Sequence, residues 1–281
     1  MRRKHNKKFF KLVFIIGIIV SFIMVLGGCG STTSKTSAVQ SNKKEAPKKI
    51  TVFAAASLTE SYNEIAKDLK KDKNIEVSYN FAGSQQLVTA IDQGANADVF
   101  ASADTKNMDK IKTDGKVDKS KIFANNQLII AKYKGSSISI TSLKDLAKDG
   151  VKLVVGDKSV PCGSYFYKAL DAALKDNTID QDTYNKILKN IKSNELNVKD
   201  IVSKVTLGEA DAGVVYKTDV VKSNKDKLQV VKDSEFSKLK IEYPVAVINS
   251  SSNKNAAQEF IDYITTGKGK DILKKYGFIV K

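Results

Sequence analysis

Histidine is almost missing from this 281-residue sequence: His5, near the start, is the only one. A chain so poor in imidazole is a weak candidate for Ser-His-Asp or Cys-His catalysis and for zinc sites of the usual His/Cys kind. Cysteine is nearly as scarce, with Cys29 and Cys162 alone. Tryptophan is absent, which argues against a surface of exposed aromatics built to grip cell-wall or host polymers. Proline occurs three times, too rarely to mark a domain boundary. Acidic residues are outnumbered 31 to 47, for a net charge of +16. That excess does not read as a nucleic-acid partner. Lysine dominates, the charges alternate with Asp and Glu, and no Arg-rich patch interleaved with aromatics is present.

Six of the positive charges, Arg2, Arg3, Lys4, Lys7, Lys8 and Lys11, crowd the start with no acid among them. The apolar run Leu12 to Leu26 follows, then Leu26-Gly27-Gly28-Cys29. Basic, apolar, then small residues is the order of a secretory signal, and the run is short for a membrane span of about 20 apolar residues. Leu-x-x-Cys resembles the bacterial lipobox, so residues 1–28 are expected to be cleaved and Cys29 acylated. The mature protein would then be lipid-anchored on the extracytoplasmic face of the cell membrane; an uncleaved signal anchor is the alternative. Cleavage removes His5, lowers the net charge to +10, and leaves Cys162 without a disulfide partner. Residues 29–48, mostly Ser, Thr, Lys and Gln, read as a flexible linker.

From Ile50 onward, short β-branched runs alternate with helical periodicity. Strands are expected at Ile50–Phe53, Ile75–Phe81, Asp98–Phe100, Val151–Val155, Ala212–Tyr216 and Ile241–Ile248. Helices are expected between them and at the end, with Asp104 capping the one that follows the third strand. This alternation means βαβ units, hence an α/β fold with mostly parallel sheet.

Five segments share one property: small, hydroxylic or backbone-exposing residues where a strand hands over to a helix. Ala54-Ala-Ala-Ser57-Leu-Thr-Glu60 reads structurally as a Ser-x-x-Glu capping box. Functionally, it offers a hydroxyl and helix N–H groups to an anion. Phe81-Ala-Gly-Ser84 repeats the arrangement after the second strand. Val160-Pro-Cys162-Gly-Ser-Tyr165 and Asn194-Glu-Leu-Asn197-Val198 enter later helices, and Gly208-Glu-Ala-Asp-Ala-Gly-Val-Val-Tyr216 ends a strand on a tyrosine. Each alone is an ordinary cap or core edge. After consecutive strands of an open α/β sheet they would share the carboxyl edge, where ligands bind.

The ordered set resembles the periplasmic molybdate-binding protein family over nearly all of Lys49 to Lys281, including the closing Tyr276-Gly-Phe278. The resemblance implies a type II periplasmic binding protein: an α/β chain of two lobes of mixed, mostly parallel sheet flanked by helices, with the ligand in the cleft between them. Residues 49–129 and 241–281 would form the first lobe and 130–240 the second. It also implies a monomer serving an ABC permease in the membrane. The oxyanion would be bound by the Ser57, Ser84 and Tyr216 hydroxyls and by N–H groups at Cys162 and Val198. Molybdenum or tungsten would be held only through its oxygens, with no cofactor and no catalytic residue. Cys162 departs from the alanine common in the family, and the stretch between Cys162 and Val198 is longer than in some relatives.

Molybdate at neutral pH carries no proton, so its four oxygens only accept, and a matching site offers only donors. Phosphate is partly protonated and gains from an acceptor. Six or seven charge-assisted hydrogen bonds would contribute roughly 9–20 kcal/mol gross, enough for micromolar to nanomolar binding without a lysine in contact. Sulfate, phosphate or another oxyanion is the alternative ligand. A surface serine/lysine hydrolase is the remote one, resting only on Ser251-Ser-Asn-Lys254, with no Gly-x-Ser-x-Gly elbow.

Overall fold

A computed structural model describes residues 46–280. The expected signal peptide, the expected acylation site Cys29 and most of the expected linker lie outside the described residues.

The first apolar run is strand β1 (Lys48–Ala55), buried on both faces over its second half. Helix α1 (Thr59–Lys73) follows, presenting Tyr62, Ile65 and Leu69 to the core at helical spacing. It ends where Asn74 adopts a left-handed conformation, φ 53°. Strand β2 (Ile75–Ala82), α2 (Ser84–Asp92), β3 (Val99–Ala101) and α3 (Thr105–Thr113) complete two further units. Asp104 caps α3 as its sequence position suggests, accepting from the Asn107 N–H at 3.0 Å. Strand β4 (Lys121–Asn126) leads through Gln127 directly into β5 (Leu128–Tyr133).

A second series follows the same plan. It comprises β6 (Leu153–Gly156), α4 (Pro161–Lys175), α5 (Gln181–Asn190), β7 (Ile191–Glu195), α6 (Val198–Thr206) and β8 (Ala212–Tyr216). After β9 (Leu228–Val231) and the single turn α7 (Ser234–Ser237), the chain returns through β10 (Ile241–Val247) to α8 (Lys254–Thr266) and α9 (Lys268–Lys275).

These strands form two five-stranded sheets, ordered β2-β1-β3-β10-β4 and β7-β6-β8-β5-β9. Each opens with three parallel strands and then accepts an antiparallel strand: β10 in the first sheet, β5 in the second. The expected α/β architecture of two mixed sheets flanked by helices is present. The antiparallel share is larger than βαβ alternation suggests, because in each sheet the fourth strand joins two neighbours in antiparallel ladders. Among the described residues, β4, β5, β7 and β9 were not expected from periodicity. Strands β4, β7 and β9 are sheet edges with mixed burial, where alternation is weak. Leu128–Ala131, buried throughout, carries a plain strand signal.

Within each parallel trio the chain runs first strand, outward neighbour, inward neighbour. The connections therefore diverge at the carboxyl ends of β1 and β6, opening a crevice on each sheet. Among the described residues, no helix is long and apolar enough to cross a membrane.

Candidate functional site

The five residues singled out from the sequence come from five separate connections, and the structure brings all five together. Ser57, Ser84, Cys162, Val198 and Tyr216 line one small cavity, of about 10 Å³. Ser57 follows β1 and Ser84 follows β2. Cys162 follows β6, Val198 follows β7, and Tyr216 ends β8. Ala55, Ala56, Ala82, Gly83 and Ala103 form much of the remaining wall. None has a side chain beyond Cβ, and Val160, Pro161 and Val198 add apolar surface, so the oxygen and nitrogen atoms at the wall come from hydroxyls and backbone. No charged residue is among the lining residues.

Ser57 lies in a short 3₁₀ turn, Ala56–Leu58, that delays the start of α1 to Thr59. The Ser-x-x-Glu capping box therefore does not form. The Ser57 hydroxyl is instead 2.9 Å from the Tyr243 hydroxyl, and Glu60 turns to Lys199. Ser84 is likewise not a cap. It is the first residue of α2, and its hydroxyl accepts from the Ala103 N–H at 3.1 Å. Gln86 takes the capping role, accepting from the Gly83 N–H at 3.0 Å. Gly83 is required by proximity: a Cβ there would meet the Leu196 carbonyl oxygen at 2.3 Å. The Gln85 side-chain amide donates to that same carbonyl at 2.9 Å, joining the rim of one sheet to that of the other.

Cys162 is the second residue of α4, after Pro161 at the first helical position. Proline has no N–H to leave unpaired, and the next N–H groups have no intrahelical acceptor. Helix α4 sits tight against the end of β6, because a Cβ on Gly163 would fall 2.1 Å from the Asp157 carbonyl oxygen. Burial pushes the Cys162 thiol well above its ordinary pKa, and the nearby Asp219 charge adds to this, so it remains a neutral thiol. At α6 the Asn197 side chain accepts from the Lys199 and Asp200 N–H groups. Val198, the first helical residue, lines the cavity beside that cap. Two helix N-termini thus meet at one place, an arrangement that favours an anion.

Tyr216 is 1% exposed, and its hydroxyl has no hydrogen-bond partner among the described residues. Burial, followed by the neighbouring Tyr243, holds its pKa well above the ordinary value. It is therefore a protonated donor.

Sequence reading missed two sets of supporting residues. Asn126 donates to Thr218 at 2.8 Å and to Tyr243 at 3.2 Å. Lys199 pairs with Glu60 at 2.7 Å and lies 3.2 Å from the fully buried Asp219. The Lys199–Asp219 contact is an ion pair rather than a well-formed hydrogen bond. Burial raises the Asp219 pKa, opposed by Lys199. Burial alone would lower that of Lys199, but the charges of Asp219 and Glu60 outweigh it and raise it. Both sets join residues far apart in the chain, for which no local pattern exists. Ser251 of the Ser-x-x-Lys segment donates to the buried Asp98 at 2.6 Å and accepts from the Asn253 N–H at 3.0 Å. It is tied up in structure.

Residues 50–279 match the model of the bacterial extracellular solute-binding protein family. The molybdate-binding protein ModA of Mycobacterium tuberculosis is 35% identical over 264 residues, covering 92% of this chain and 95% of that one. YvgL of Bacillus subtilis, whose name places it provisionally among ABC transporter substrate-binding lipoproteins, is 32% identical over 96% of this chain and 98% of its own. A solved substrate-binding domain from Clostridium difficile superposes with a TM-score of 0.60 at 33% identity, over 83% of this chain and 99% of its own. With the match spanning both sheets and every segment of the cavity, the chain belongs to the bacterial extracellular solute-binding proteins, in the family of the molybdate-binding proteins.

Proposed function

We propose that this protein is the extracytoplasmic binding component of an ABC importer and captures molybdate or tungstate in the cavity between its two sheets. The observation that carries this reading is the character of the lining. Three buried hydroxyls and two helix N-termini converge on a small space with no charged side chain in its wall. Ser57, Ser84 and Tyr216 would donate through their hydroxyls, and Cys162 and Val198 through their N–H groups. A fully ionised tetrahedral anion accepts from every side, so a donor lining meets all of its oxygens, whereas a carboxylate in contact would repel it.

The two rims contribute from opposite sides. Residues 49–129 with 241–281 form one lobe and 130–240 the other in this reading. Only their closure lets both donate to the same anion, which makes the liganded, closed form the one a permease distinguishes. Anchoring through acylated Cys29 would hold the protein at the membrane beside that permease. The family consists of binding proteins, not enzymes, and the cavity contains no base placed to activate Ser57 or Cys162.

A thermal-shift panel tests the ligand. Molybdate and tungstate at 1,000 times Kd should stabilise the protein by about 4 kcal/mol, with sulfate and phosphate giving far smaller shifts at equal concentration. Stabilisation by sulfate or phosphate alone would transfer the site to the alternative oxyanion.

A further inference from the structure

The hydroxyl of serine can donate or accept, so a site built from serines does not discriminate protonated from unprotonated anions unless something sets the direction of each hydroxyl. Ser84 has such a device: the Ala103 N–H can only donate, and it fills an acceptor position on the Ser84 oxygen at 3.1 Å. Among the described residues, Ser57 has no backbone donor in that role. Its oxygen is 2.9 Å from the Tyr243 oxygen, a pair in which either could donate.

The direction is set one step further away. The Gln127 N–H, which can only donate, meets the Asn126 side-chain oxygen at 2.9 Å. That contact orients the amide, so its nitrogen faces Thr218 and Tyr243 and donates to both, at 2.8 and 3.2 Å. With Asn126 donating to it, the Tyr243 oxygen has its acceptor position filled, and its own proton needs an acceptor. The Ser57 oxygen is the one at hand. Reversing the pair would leave a fully buried Tyr243 O–H without an acceptor among the described residues, the costlier arrangement.

We propose that Tyr243, oriented by Asn126, is a positioning residue that donates to Ser57 and so turns the Ser57 proton toward the ligand, biasing the cavity against protonated oxyanions. The relay rests on the reading that Ser57 binds the anion. It assigns to β10, a strand with no residue in the cavity lining, a share in choosing the ligand. Tyr243 also packs edge-on against Tyr216, ring centres 5.7 Å apart, so the same residue braces the donor from the opposite sheet.

A double-mutant cycle on the purified protein separates this role from simple packing. Molybdate affinity is measured for wild type, Ser57→Ala, Tyr243→Phe and the double variant, with phosphate competition measured for wild type and Tyr243→Phe. Thermal melts serve as the check on folding. The relay predicts that Tyr243→Phe weakens molybdate binding about tenfold in the wild-type background and less than about twofold once Ser57 is alanine. It also predicts that phosphate competes at a lower phosphate-to-molybdate ratio in Tyr243→Phe than in wild type. Equal losses in both backgrounds, no loss in the wild-type background, or an unchanged competition ratio would overturn the relay while leaving Ser57 in the site. No effect of Ser57→Ala on molybdate affinity would overturn the site assignment itself, and the relay with it.

Discussion

A buried hydroxyl without a partner destabilises a fold unless something else uses it, and the Tyr216 hydroxyl is in that position. In the proposed site it donates to the ligand. Tyr216→Phe should therefore leave the unliganded protein no less stable in urea melts, while molybdate affinity falls about 10- to 150-fold, the loss expected for one hydrogen bond to a charged group. A large drop in stability with affinity unchanged would mean that the hydroxyl serves the core. At this scale the sequence was informative about identity and misleading about local role. Ser57 and Ser84 both read as helix caps, yet neither caps. The Ser57 hydroxyl lies against that of Tyr243, 186 residues away, and the Ser84 hydroxyl accepts from Ala103. Local patterns find residues at strand-to-helix junctions but carry no information about partners so distant in the chain.

Among the secondary-structure elements, the start of α4 is the most tightly specified part of the site. Gly163 lets the helix abut β6 and brings Cys162 to the cavity. Gly163→Ala forces a methyl group against the backbone of Gly156 and Asp157. It should lower stability by about 1–3 kcal/mol, and molybdate affinity should fall with it as α4 is displaced. Calorimetric melting and titration of the same preparation would check both, and unchanged affinity would place the Cys162 N–H outside the site. Except for β7, the strands and helices that flank the site were legible because they are periodic and punctuated: Asp104 caps α3, and Asn197 caps α6. The edge strands were not legible. In β7 the residues Ile191–Glu195 are mostly polar and half-exposed, so their pairing with β6 is decided by tertiary contacts rather than by their own pattern.

Across the molecule, the two sheets are bridged by apolar packing, Tyr243 against Tyr216 among it, and by polar contacts near the cavity, of which the one through Lys199 carries charge. Lys199 reaches Glu60 on one side and the buried Asp219 on the other. The two partners should respond differently. Glu60→Gln weakens a half-exposed pair and should cost only about 0.2–1 kcal/mol, with a modest rise in the ligand's dissociation rate. Lys199→Met leaves the Asp219 carboxylate buried and unpaired, a loss of about 3–5 kcal/mol. The pH dependence follows from the direction of the Asp219 shift. Its folded-state pKa is raised, so the charged form is penalised above that value and the penalty is relieved as pH falls and the carboxylate protonates. The Lys199→Met deficit should therefore shrink on acidification from about pH 8 to pH 5. A deficit that grew on acidification would contradict this role for Asp219.

The central claim is that a neutral, donor-lined cavity shared by both sheets captures a fully ionised oxyanion. Isothermal titration of molybdate into the wild-type protein and into the Ser57→Ala/Ser84→Ala double variant tests it most directly. The account predicts one site per chain in the wild type and a loss of at least about 100-fold in affinity in the variant, from two charge-assisted hydrogen bonds removed. Equal affinity in the two proteins, or no molybdate binding by the folded wild type, would contradict it.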